Sequence, residues 1–154
     1  MIKFNVISNN SKWKKYLKDP HLYIKKQTIK LNKKHKDYRN KLFECTLLLS
    51  ESQEIKGLNK KFRNKNRVTD VLSFPFFDKK ELKKKIKNEK EIYLGDIVIN
   101  LNKVKFKKNS KKFLLEFNKL WVHGLVHLFG YDHKKDKDFF IMLKIERRLL
   151  SYLI

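Results

Sequence analysis

One cysteine, Cys45, is all the thiol chemistry that this chain of 154 residues possesses. No internal disulfide can form, and a reducing compartment fits that best. Cys45 lies in an apolar run, residues 42–49, and reads as small core filler. Long hydrophobic runs are missing as well. No stretch approaches the roughly 18 apolar residues of a membrane span. The opening Met1-Ile-Lys-Phe-Asn-Val-Ile is too short and too polar for a secretory signal. A cytoplasmic protein without membrane contact is the expectation. Glycine and proline are few, at four and two. Nothing reads as a linker or a repeat, so one domain over residues 1–154 is expected.

Acidic residues are scarce too. Sixteen Asp+Glu face 39 Lys+Arg, a formal net charge of +23. So much positive potential favours a polyanion, with nucleic acid the obvious class. Lysine supplies nearly all of it, however, alongside abundant Asn, Ile and Phe. That mixture is also what an AT-rich genome produces without selection for binding. A composition of 41% hydrophobic and 13% aromatic residues excludes a disordered tail.

What is present in concentrated form is histidine. Three of the five lie within the eleven residues His123-Gly-Leu-Val-His127-Leu-Phe-Gly130-Tyr-Asp-His133. On a helix, His123 and His127 share one face, about one turn apart. Gly130 can end that helix with a positive φ, and His133 can then turn back toward the pair. Three neutral imidazoles meeting at a point suit a zinc ion that keeps one position open. Zinc proteases of similar spacing carry Glu directly after the first His as general base. Here that position is Gly124, so the usual peptide-hydrolysing route has no base. Asp132 reads either as an orienting partner for a ligand histidine or as a turn residue.

Periodicity predicts interspersed strands and helices. Strands are expected over residues 2–7, 42–49, 71–74 and 92–99. Residues 13–34 carry apolar positions at helical spacing and are divided by Pro20 into two helices. Ser50-Glu51-Ser52-Gln53 reads as a capping box opening a helix to Arg63, with Ile55, Leu58 and Phe62 on its inner face. Gly95 inside a strand points to a bulge or a close backbone approach. Asp96 reads as a buried hydrogen-bonding residue, and Asn100 as a helix cap. A long helix from about Ser110 carries Phe113, Phe117, Leu120, Trp121 and Leu128, with Trp121 as core. A last helix spans about residues 136–152. The lysines of residues 78–91 read as a solvated insertion, the alternative being an RNA-gripping arm. Arg63, before a polar loop, is either a phosphate clamp or a surface arginine placed by the helix dipole. The whole implies a layered α/β or α+β fold.

Taken in order, Leu58-Asn-Lys-Lys-Phe-Arg63, Thr69-Asp-Val-Leu-Ser-Phe-Pro75-Phe, Tyr93-Leu-Gly-Asp-Ile-Val-Ile99 and the histidine segment resemble the YbeY family of metal-dependent, single-strand endoribonucleases. The resemblance covers residues 58–133. It implies a small mixed four-stranded sheet packed with helices, and one Zn²⁺ per chain held by His123, His127 and His133 at the end of a long helix. It implies single-stranded RNA, 16S rRNA and ribosomal particles as partners, in 16S rRNA 3′-end maturation and ribosome quality control. Arg63 falls where that family has a functionally important arginine, so Arg63 and His123 become the candidate catalytic pair. Val126 and Phe129 stand where leucine is more usual, and the lysine-rich insertion is unusual. The competing readings are a non-catalytic ribosome-assembly factor with a metal site and a zinc hydrolase of another substrate class.

Overall fold

The computed structural model describes residues 1–35, 40–133 and 135–154. Four strands form one mixed sheet: β1 (Ile2–Ile7), β2 (Leu42–Ser50), β3 (Val71–Pro75) and β4 (Glu91–Asn100). Their order is β1-β2-β4-β3, with β1, β2 and β4 parallel and β3 antiparallel on the edge. Five helices accompany them among the described residues: α1 (Pro20–Lys34), α2 (Ser52–Arg63), α3 (Lys79–Asn88), α4 (Ser110–Leu128) and α5 (Asp136–Ser151). This is an α+β arrangement.

The main core lies between the sheet and α4. Strand β2 alternates, placing Phe43, Cys45, Leu47 and Leu49 on the buried face. Helix α4 answers with Phe113, Phe117, Trp121, Leu125 and Leu128, all buried. Trp121 is therefore core. Asn118 is the polar residue inside this layer. Its Oδ1 accepts from Trp121 Nε1 at 2.9 Å and from Tyr23 Oη at 3.1 Å, which satisfies it and ties α1 to α4. A smaller cluster of Ile55, Leu72 and Val98 sits under α2 on the other face.

Several expectations change. Residues 11–15 form a short 3₁₀ turn rather than a helix of their own, with Trp13 buried and its Nε1 donating to the Ser50 carbonyl at 3.1 Å. Pro20 opens α1 at its first turn, where its missing N–H costs nothing, and Asp19 caps it. Ser50 is the end of β2, so no capping box forms there. Its hydroxyl bonds to Glu54, while Ser52 N donates to Asn102 Oδ1 at 3.1 Å. Phe62 is 60% exposed and not on the inner face of α2; Asn59 is buried there in its place.

The lysine-rich segment is not a bare solvated insertion. It is helix α3, opened by a capping box between Asp78 and Glu81, with Leu82 buried and Ile86 packed on the core. Gly95 meets both halves of its reading. Its φ is +130°, the register between β2 and β4 shifts there, and a Cβ would lie 2.1 Å from the Phe74 carbonyl oxygen. Asp96 is half-buried rather than buried, and accepts from Tyr93 Oη at 2.5 Å. Asn100 caps a 3₁₀ turn (Leu101–Lys103) by accepting from Asn102 N at 3.0 Å. Its Nδ2 also donates to the Thr69 carbonyl, which fixes the approach to β3.

Candidate metal centre

Helix α4 starts at an Asn109 cap, runs 19 residues, and delivers His123 and His127 to one side of its last two turns. Its C-terminus closes by main-chain bonds from Gly130 N to the His127 carbonyl and from Tyr131 N to the Val126 carbonyl. Gly130 has φ +82°, the left-handed position that glycine takes without a Cβ penalty. The chain then reverses and brings His133 back. Asp132 accepts from the His133 backbone N–H at 2.7 Å, so it holds the turn. One candidate ligand atom from each of His123, His127 and His133 lies within 4.8 Å of the others. The first two rings are half-buried and the third is exposed.

The hydrogen bonds determine which nitrogens point inward. His123 Nδ1 bonds to Glu146 Oε1 of α5 at 2.7 Å, and His127 Nδ1 to the Tyr131 carbonyl oxygen at 2.8 Å. A carboxylate and a carbonyl can only accept, so each Nδ1 carries a proton, and in the neutral rings each Nε2 is left with a lone pair. The two Nε2 atoms face one another across 3.1 Å. Two bare lone pairs at that distance repel. A cation between them turns the repulsion into ligation. The separation is close to the edge of a zinc tetrahedron, about 3.3 Å for bonds of about 2.0 Å. The residues therefore fit a divalent metal ion. Burial, then the neighbouring His123, lower the pKa of His127, opposed by its bond to the Tyr131 carbonyl. This favours the neutral imidazole that a metal requires.

Gly124 is explained by packing. A Cβ there would lie 2.7 Å from Ile97 Cγ2, because α4 rests directly on β4 at this point. A glutamate base in that position would have to displace the buried Ile97 side chain.

A family model described as Endoribonuclease YbeY matches residues 6–154. The chain belongs to the YbeY family. An Endoribonuclease YbeY of Pelagibacter ubique (strain HTCC1062) is 41% identical, the alignment covering 99% of this chain and 97% of the relative. One from Caldicellulosiruptor bescii is 39% identical over 71% of this chain and 72% of its own. Among solved structures, the solution structure of TM1509 from Thermotoga maritima superposes with a TM-score of 0.54 at 26% identity, covering 99% of this chain and 89% of that one.

Arg63, the other candidate within the YbeY-like segments, ends α2. Its Nη2 donates to the Ser73 carbonyl at 2.6 Å, and its guanidinium lies 5.5 Å from the centre of the Phe74 ring. Ser73 pairs with Ile97, and Ile97 lies under Gly124. Strand β3 itself packs against α4, so the arginine's anchor belongs to a strand that touches the helix carrying His123. Asn59 shapes the loop after Arg63, donating from Nδ2 to the Arg67 carbonyl at 2.9 Å. Sequence reading gave no role to Asn59 or Glu146. A carboxylate four positions after the buried Met142 on α5 was the available signal, but its partner lies 23 residues away.

Proposed function

We propose that this YbeY-family chain is a metal-dependent endoribonuclease that cuts single-stranded RNA. Its place is in 16S rRNA 3′-end maturation and ribosome quality control, with zinc as the ion. One observation carries the reading: two imidazole Nε2 lone pairs meet at 3.1 Å beside a third histidine, with both Nδ1 atoms already committed to acceptors. The family supplies the reaction class, and the charge of +23 supports a polyanionic substrate.

A divalent ion bound there supplies Lewis acidity toward a phosphoryl oxygen or a water molecule. The chain's own residues do the rest. Glu146 holds the His123 ring in the tautomer that presents Nε2, and the Tyr131 carbonyl does the same for His127. His133, exposed on its turn, completes the set. Arg63 spends one N–H on Ser73 and keeps others toward solvent, where a guanidinium can meet the charge that builds on a scissile phosphate. Lysines bind the backbone without reading sequence.

The test is digestion of a single-stranded RNA, the matching duplex and casein, each with and without chelator. Cleavage of the single strand alone, abolished by chelator and reduced about 10²-fold by Arg63→Ala, is the expected pattern. Activity that survives chelation, or that Arg63→Ala leaves unchanged, contradicts the reading.

A further inference from the structure

Helix α3 does more than fill an edge. Its first residue rests on the turn between two of the histidines: a Cβ built at Gly130 would lie 3.2 Å from Lys79 Cβ. Behind that contact, α3, the end of α4 and α5 enclose a pocket of about 160 Å³. Its floor is apolar, with Leu82 and Ile86 of α3, Val126 and Phe129 from the end of α4, and Ile145 of α5. Its rim carries Lys79, Lys83 and Arg148, and no carboxylate lines it among the described residues. The wall nearest the metal centre is Tyr131, whose ring lies 5.6 Å from Lys79 Nζ and whose carbonyl holds His127 Nδ1.

We propose that this pocket is a nucleotide subsite, taking one base of an RNA strand against Phe129 and Tyr131 and its phosphate at Lys79 and Lys83. The inference rests on the endoribonuclease reading for the identity of the strand. Apolar floor and cationic rim together match a nucleotide, which joins a flat, weakly polar ring to an anion. The volume admits one ring system and excludes a folded partner. Tyr131 belongs both to the pocket wall and to the hydrogen bond that orients His127, so the pocket adjoins the support of one of the three imidazoles. The lysines of α3 then divide by position. Lys79 and Lys83 face the pocket, while Lys80 and Lys84 are exposed and stand outside it.

That division gives the experiment. Binding of a fluorescent single-stranded RNA decamer to the full chain is followed by anisotropy in chelator, so that cleavage does not intervene. The pair Lys79→Glu/Lys83→Glu is compared with Lys80→Glu/Lys84→Glu, the same charge change on the same helix. Ile86→Trp fills the pocket with no charge change. The pocket pair and Ile86→Trp are each expected to weaken binding about tenfold or more, and the control pair only a few-fold. Equal losses in the two pairs, or wild-type binding by Ile86→Trp, overturn the subsite and leave the endoribonuclease reading untouched. A pocket-specific loss of binding in a protein that cuts no RNA supports the subsite and overturns that reading instead.

Discussion

At His123 the decisive contact is the one to Glu146, 2.7 Å from Nδ1 and on a different helix. Without that acceptor the ring has no reason to prefer the tautomer that presents Nε2 to a metal. Glu146→Leu keeps a similar size and removes the acceptor. Zinc affinity is expected to fall about 10–100-fold, read by competition with a chromophoric chelator; unchanged affinity refutes the orienting role. A second residue with a readable signature is Tyr93. Burial first, then the hydrogen bond it donates to Asp96, push its pKa up to about 12 from the ordinary 10. A raised pKa means that folding favours the neutral phenol. The contribution is therefore fully present below about pH 10 and is lost as pH climbs through about 12. The phenolate absorbance of wild type minus Tyr93→Phe should show that late midpoint, and a midpoint near 10 would contradict it. The histidines were legible in the sequence because helical spacing and one glycine turn are local facts. Glu146 was not, because only tertiary packing brings α5 against His123. For Arg63 the sequence left a phosphate clamp and a surface arginine both open, with only the family resemblance favouring the first; its bond to a main-chain carbonyl is one that no side-chain pattern reports.

Among the elements, β4 carries the most demanding position. Gly95 combines φ +130° with an approach that leaves no room for a methyl group beside the Phe74 carbonyl. Gly95→Ala is expected to destabilise the chain by about 3 kcal/mol or more, adding a strained φ to an overpacked contact. Chemical denaturation measures this, and a loss under about 1 kcal/mol would show that β3 can shift away freely. All four strands and the two longest helices followed from periodicity and turn residues. The misreadings were at ends and caps. Ser50 fits a cap in sequence, but β2 runs one residue further and Asn102 reaches across to satisfy Ser52 N. Phe62 has helical spacing with Ile55, yet the Asn59 side chain takes the inward place to hold the loop. The seven lysines of residues 79–90 hid two apolar residues, Leu82 and Ile86, four apart and enough to dock α3.

For the molecule as a whole, sheet and α4 act as a platform and the candidate metal centre sits where α4 ends. Gly124 lets the helix lie close on Ile97, and Gly130 lets the chain turn back, so that helix packing and turn geometry together set the spacing of the three rings. The surrounding charge of +23 draws polyanions from any direction but does not by itself say where cleavage occurs. No helix among the described residues is long and apolar enough to cross a membrane. The central claim is that His123, His127 and His133 hold one ion in common. Its most direct measurement is zinc bound per chain after reconstitution and gel filtration, for wild type and His123→Ala. The account predicts about one ion for the wild type and a large loss in the variant; a His123→Ala chain that keeps its full complement of zinc would contradict it.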